Sequence, residues 1–431
     1  MEQPLRPCNR RDQHTASSAH DALRIQDISY SQPTAFDHFP LNFPNPQDSH
    51  TVHSLQTGKM TMPSACEAKT AVMLLDTREH TPDHEHAVHL KLAAGLAQLL
   101  GCPQGQPDRP PSASDHYYYL PTETLIDPSR YATIGIRSEQ DLFGGLVSHP
   151  YMATKAISHP LPANASFPPG WTDQFARQAC DALLRGYTVF SKADASRAAQ
   201  LLLREGPLRV KPVLACAGRG QTVISHEQEL QPLLEGMDDQ DLALWGLVLE
   251  EDLDQVQTFS VGQVRVAGIT CSYHGTQQLT HDHQGTEVYG GSDLIVVRGD
   301  YQALLQLPLE DHLRLAINQA MVYEHAAEQH FPGFMASRRN YDIARGVDPK
   351  GHQRSGVLEQ SWRLGGASSA ELLALQAFAS DPALQSVHAS THEVFGTPDL
   401  PTDATLFYQG NDSELGQLSK FARIREHDHS E

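Results

Sequence analysis

"NYDIARGVDPKGHQRSGVLEQSWRLGGAS" runs from Asn340 to Ser368. Strand-forming residues flank "DPKGH", in which Pro349 presets one backbone angle and Gly351 tolerates a left-handed one, a turn composition. A hairpin folded about Lys350–Gly351 sets Asp342 opposite Glu359, Asn340 opposite Ser361 and Arg338 opposite Arg363. Side chains alternate along a strand, so these six share one face. Two facing carboxylates repel unless a cation joins them. A hard cation with oxygen ligands, Mg²⁺ or Mn²⁺, would do so, with Asp342, Glu359 and Ser361 as candidate ligands. Arg363 offers a planar fork for phosphate. The same residues also suit a solvated hairpin face with Asp342 paired to an arginine.

Working outward, the chain has 431 residues, enough for two or three domains, and 39% hydrophobic residues, enough for a buried interior. Its formal net charge of -20 argues against a nucleic-acid partner but leaves room for a local basic pocket. The six cysteines are scattered without a CxxC pair, so neither a zinc knuckle nor a disulfide framework is indicated. No apolar run is long enough to span a bilayer, and the first residues lack the apolar core of a signal peptide. The expectation is a soluble, cytoplasmic protein that takes small-molecule substrates.

Residues 1–65, rich in Pro, Gln, His, Ser and Asp, read as a disordered extension. From Ala71 the pattern is α/β. "AVMLLD" (71–76) reads as a buried strand, "DHEHAVHLKLAAGLAQLLG" (83–101) as a helix closed by glycine, and "DHYYYLPTETLI" (115–126) as a second strand. Strand, helix and strand suggest a small parallel sheet, a first domain over 66–165. A larger α+β region follows over 166–400. "WTDQFARQACDALLRG" reads as a helix, as does 194–206 with Asp194 as its N-cap. "VQTFSVGQVRVAGITCSYHG" (256–275) alternates as antiparallel strands do, and a long helix spans 309–330. Residues 401–431 read as a tail.

Three further stretches bear on chemistry. In "LRVKPVLACAGRGQ", Lys211 closes a strand and Gly218–Arg219–Gly220–Gln221 follow; a strand-end lysine reaches phosphates and a glycine loop lays backbone N–H groups on them. A surface turn beside a solvated lysine has the same composition. "LVLEEDL" runs a strand into Glu250, Glu251 and Asp252, either a nucleotide-facing edge or an ordinary strand end. Lys192 follows the strand "YTVFS". His281-Asp282-His283 reads as a polar loop. His84, His86 and His89 share no clean helical face, and chance clustering is expected with 24 histidines.

The order of these stretches resembles the ATP-grasp superfamily, over roughly 170–380. The resemblance implies two α+β subdomains clamping ATP, preceded by a small α/β domain. It implies that Lys192, Lys211 and the loop Gly218, Arg219, Gly220 and Gln221 bind the phosphates. It places Glu250, Glu251 and Leu253 at the adenine-reading hinge, and gives Mg²⁺ (or Mn²⁺) to Asp342, Glu359 and Ser361. Lys211, Arg298 and Arg363 become catalytic residues for carboxylate activation by ATP and capture by an amine or other nucleophile; Arg265 and the Tyr289–Ser292 turn are acceptor candidates. Ser361 stands where the family has Asn, and the Asp342–Glu359 spacing is longer than usual. "LFGGLVSHPYMATKAISHPL" and "TEVYGGSDLIVVRG" look closer to an uncharacterised bacterial family of biotin-carboxylase-like ATP-grasp proteins. The implied activity is a carboxylate–amine ligase. The alternatives are an ATP- and Mg²⁺-binding protein with weak or no turnover, and a biotin-carboxylase-like carboxylation. A homodimer is compatible with all three.

Overall fold

The computed structural model describes residues 68–78, 80–105, 115–214 and 220–426. The extension expected over 1–65 lies outside them. The first strand, β1 (Val72–Leu75), leads to the helix Asp83–Leu100, which buries Leu92, Ala93 and Leu96. Gly101 ends that helix in the left-handed region, at φ 65°. The next strand, β2 (Tyr118–Pro121), pairs with β1 in parallel, as strand–helix–strand order requires. The strand expected over 115–126 is broken at Thr122, and its end forms the separate strand β3 (Leu125–Ile126). That strand pairs with β4 (Gly145–Val147).

An antiparallel sheet follows, from β5 (Gly186–Val189), β6 (Leu208–Pro212), β7 (Thr222–Ile224) and β8 (Leu247–Glu251), in the order β5-β8-β6-β7. The helix Lys192–Leu202 lays Ala195, Ala198, Ala199 and Leu202 on the core of this sheet. Its cap is Ser191, not Asp194: the helix begins two residues earlier than expected, and Asp194 instead accepts hydrogen bonds from the hydroxyls of Ser191 and Ser166. The helix expected over 171–186 is shorter, Gln174–Gln178 followed by a turn at Cys180–Ala182.

The long alternating stretch makes β9 (Asp254–Val266) and β10 (Ile269–His281), and β11 (Glu287–Arg298) continues the meander. The short β12 (Met335–Ala336) pairs back onto β4, so the boundary expected near 165 is bridged by a strand pair. Then come β13 (Arg338–Val347), β14 (Gln353–Ser361), β15 (Ser386–Phe395), β16 (Ala404–Asp412) and β17 (Gly416–Glu426). These form one antiparallel sheet of eight strands, β14-β13-β9-β10-β11-β15-β17-β16. On one face Phe259, Val261, Tyr341 and Ile343 pack against Ile317, Ala320 and Tyr323 of the helix Asp311–His330. On the other, Val264, Tyr273, Leu294 and Ala389 pack against the helices Asp83–Leu100 and Ser368–Ser380. Period-2 alternation in the strands supplies both cores at once. The result is a mixed α/β architecture.

The stretch expected as a tail thus carries β16 and β17. Their polar outward residues mask the alternation, yet Phe407, Leu418 and Ala422 are buried. Asp412 fastens this corner to the first helix. Its buried carboxylate accepts from the N–H groups of Glu414 and Leu415 at 2.9 and 3.0 Å and lies 2.8 Å from His84 Nδ1. Burial opposes the charge, but the hydrogen bonds outweigh it and hold the carboxyl well below the ordinary range. Asp412→Asn is expected to destabilise the protein by about 1–3 kcal/mol at pH 7. A depressed carboxyl contributes stability above its unfolded pKa and loses it as pH falls through the folded one. The difference between wild type and variant should therefore shrink in acid, as thermal melts across a pH series will read.

Candidate functional site

The hairpin of β13 and β14 brings the two carboxylates together. Asp342 is the cross-strand partner of Glu359, and Asn340 of Ser361. The route to this register differs from the expected one. Val347 pairs with Gln353, which centres the turn on Lys350, and Ile343 pairs with Val357. One extra residue, Leu358, then forms a bulge that restores the expected pairing beyond it. Gly351 sits at φ 85°, and Asp348 accepts from the N–H groups of Lys350 and His352, both at 2.9 Å.

Two buried lysines from separate segments meet this bulge. Lys211, at the end of β6 and 2% exposed, donates to the Leu358 carbonyl at 3.2 Å and to Glu250 at 2.8 Å. Lys155, 4% exposed, is ion-paired with Glu359. It opens the short helical turn Lys155–Ser158, capped by the Thr154 hydroxyl. Sequence reasoning quoted the segment holding Lys155 and passed over the lysine. The available signal was a single cation inside the apolar run "YMATKAI", since lysines are seldom buried without a partner. Behind Lys211, Glu250 also meets His159 Nε2 at 3.2 Å. Burial disfavours the Glu250 charge, but Lys211 and His159 overcome it and hold the carboxyl at about 2.

Lys211, Glu250, Leu358 and Glu359 border a cleft of about 350 Å³, lined also by Gln221, Leu253, Gln277 and Asp342. The Asp342 carboxyl is pushed up to about 7, first by burial and then by Glu359; Gln277, Arg338 and Lys155 offset this only in part. The pair therefore suits a cation. Among the described residues, however, no group of three or more His, Cys, Asp or Glu side chains is placed to hold an ion. Two carboxylates and few other protein ligands are what Mg²⁺ uses when phosphate oxygens and waters complete its shell. The donor set fits a metal that arrives with phosphate.

The remaining expected residues divide. Glu250 and Glu251 border the cleft with their carboxylates engaged: Glu251 takes the Arg185 N–H and Arg354 Nη2, both at 2.8 Å. Gly220 is described, in the left-handed region at φ 69°, whereas Gly218 and Arg219 lie outside the described residues. Ser361 is turned away, its hydroxyl accepting from Arg338 Nη1 at 3.2 Å, and it does not line the cleft. Lys192 begins a helix and pairs with Asp239 at 3.0 Å, away from the cleft lining. Arg298 is a structural residue: it donates to the carbonyls of Leu384 and Asp381, at 3.0 Å each, and lies over the Phe378 ring. A further bond, from Nη2 to the Phe378 carbonyl, engages the end of the helix Ser368–Ser380, whose last carbonyls lack partners within the helix. Arg363 Nη1 donates to the Leu364 carbonyl at 3.0 Å. Arg265 binds Gln263 and Glu139. Tyr289–Ser292 is no turn but part of β11, and the Tyr289 hydroxyl packs where a Cβ on Gly366 would stand, 2.3 Å away. Asp282 closes the β10–β11 turn by accepting from the Gln284 and Thr286 N–H groups, and no helix among the described residues is long and apolar enough to cross a membrane.

A family profile described as "Protein of unknown function (DUF3182)" matches residues 72–422. The chain belongs to that family. The matched span of this DUF3182 member runs from β1 into β17 and so contains the whole cleft. No curated protein matches the chain. Among solved structures it is similar to D-alanyl-alanine synthetase A from Vibrio cholerae, at 11% identity and a TM-score of 0.34, over 68% of this chain and 89% of that one. It is also similar to phosphoribosylamine–glycine ligase from Thermotoga maritima, at 11% identity and a TM-score of 0.39, over 84% and 93%. Such likeness is too loose to carry an argument.

A carboxyl raised in the folded state keeps its proton longer than in the unfolded chain, so its ionisation costs stability as pH rises. Asp342→Asn should match wild type near pH 4 and melt several degrees higher above pH 7, both without ligand. Thermal melts of the two proteins across that range check the expectation.

Proposed function

We propose that this protein is an ATP-dependent ligase of the ATP-grasp type, which activates a carboxylate as an acylphosphate for attack by an amine or other nucleophile. The observation that carries this reading is the convergence of Lys155 and Lys211 on adjacent residues, Glu359 and Leu358, beside the Asp342–Glu359 pair. Two desolvated ammonium groups facing two carboxylates form an arrangement for polyphosphate and a divalent ion.

In this reading the two lysines neutralise the phosphates, and Glu250, itself paired with His159, fixes the Lys211 ammonium in place. Asp342 and Glu359 would hold Mg²⁺, which would supply charge neutralisation for the phosphates. The substrate carboxylate oxygen attacks the γ-phosphorus, the β–γ bridging bond breaks and ADP leaves. The nucleophile then attacks the acyl carbon and phosphate departs. The chain's share is positioning and electrostatics. Arg363 sits two residues before Gly365 and is assigned to the transferred phosphoryl group. Gly220 and Gln221 flank the loop assigned to cover the phosphates. A second reading, nucleotide binding with little turnover, has one observation behind it: the Ser361 hydroxyl is engaged by Arg338.

A library of small carboxylates paired with amines, read by ADP and phosphate release, tests the ligase. Release with at least one pair is expected. Glu359→Gln and Lys211→Met should each lower it at least about 100-fold, and Lys211→Met should also melt below wild type, because Glu250 is left buried with His159 alone. Unchanged turnover in Glu359→Gln would sink the metal assignment. A thermal shift with ATP and Mg²⁺ but no release with any pair would favour the second reading.

A further inference from the structure

We propose that the third protein oxygen for the divalent ion comes from Gln277 of β10, and that Ser361 is not a ligand. The inference rests on the nucleotide–metal reading of the cleft and adds a residue to it. Gln277 lines the cleft and is solvent-exposed, and its Nε2 donates to Asp342 Oδ1 at 3.0 Å. It shares a sheet face with Gly275, which pairs with Ser260, which in turn pairs with Asp342. The residues between are small, a glycine and a serine. They leave a trough over which the Gln277 arm reaches the carboxylate.

A primary amide presents a donor and an acceptor on opposite sides of one rotatable bond. With no cation the amide turns its NH₂ to Asp342 and satisfies a carboxylate that Glu359 repels. A half-turn about the terminal torsion presents Oε1 to an ion at Asp342, a carbonyl oxygen of the kind hard cations accept. Ser361 has no equivalent freedom. Its hydroxyl and carbonyl both accept from Arg338 Nη1, at 3.2 and 3.0 Å, and Arg338 is locked by Glu371 at 2.9 Å with both side chains buried. Nη1 also reaches the Arg363 carbonyl at 2.6 Å, so the hydroxyl stands against a buried cation, an unfavourable neighbour for a second one.

The test measures Mn²⁺ binding to the full-length protein with a non-hydrolysable ATP analogue, by calorimetry or electron paramagnetic resonance. Gln277→Leu should weaken Mn²⁺ about tenfold, whereas Ser361→Ala should change it less than about twofold. Gln277→Glu, which keeps an oxygen at the same reach, should restore binding. Position 277 is exposed, so both variants should fold; without metal Gln277→Glu should melt below wild type, because it sets a third carboxylate beside Asp342 and Glu359, and should recover with Mn²⁺ and the analogue. Equal Mn²⁺ affinity in Gln277→Leu and wild type, or a tenfold loss in Ser361→Ala, overturns the assignment. If wild type takes up no Mn²⁺ with the analogue, or if Asp342→Asn binds it as wild type does, the nucleotide–metal reading itself has failed. That result overturns both and is distinct from a failure at Gln277 alone.

Discussion

The opposition of Asp342 and Glu359 across one hairpin is the constraint to which the surrounding structure answers. Two carboxylates held side by side in a part-buried place repel, and folding must offset that cost with specific partners. Lys155 is brought in from a separate segment to meet Glu359, and Gln277 from another strand to meet Asp342. The Leu358 bulge does two things at once. It corrects the register so that the carboxylates face each other, and it releases a carbonyl that Lys211 takes. Lys211 in turn requires Glu250, and Glu250 His159. A chain of paired polar groups therefore runs from the cleft into the interior. Removing one member leaves its neighbour buried and unpaired, which costs more than the intact pair contributes.

The floor of the site is fixed in the same manner. Arg338 gives its guanidinium to Glu371 on one side and to the carbonyls of Ser361 and Arg363 on the other, the latter at 3.0 and 2.6 Å. Tyr273 donates to Glu371 at 2.6 Å, and Asn340 donates to Tyr273 at 3.1 Å. This fully buried network joins β13, β10 and the helix Ser368–Ser380 and sets the path of the chain through Gly365 and Gly366. Arg338, which the hairpin sets on the same face as Asp342 and Glu359, is held inside this network. Its charge holds the backbone from which Glu359 and Arg363 project.

The hairpin was legible because its information is local. Turn chemistry marks its centre, period-2 alternation marks its face, and Asp342 meets Glu359 as the pattern requires. The bulge was not legible, because nothing in "SGVLEQS" distinguishes a continuous strand from one with an extra residue. The parallel β1–β2 pair and the antiparallel meander followed from strand–helix order and alternation. Lys155 was missed because its meaning depends on which distant residue it meets. Lys192 and Arg298 show the converse, lysine and arginine at suggestive positions whose partners, Asp239 and the last carbonyls of a helix, are set by tertiary contacts. The segment from 401 onward failed for another reason. Its strands lie at and next to the sheet edge, where polar outward residues dilute the alternation that marks buried strands.

In the proposed reading, the net charge of -20 bears on how the site binds its nucleotide. A polyanion approaching this protein meets a repulsive field that salt screens over about 8 Å. Long-range attraction cannot be the source of affinity. It must arise at contact, from ammonium groups already stripped of water and held in place, where a charge interaction is several times stronger than at the surface. Lys155 and Lys211 meet that description, being nearly inaccessible and engaged by carboxylate or carbonyl oxygens. The acidic exterior and the buried cations are consistent with each other. The surface discourages nonspecific association with phosphate backbones, while Lys211 holds its ammonium at the cleft, in the space beside Asp342 and Glu359.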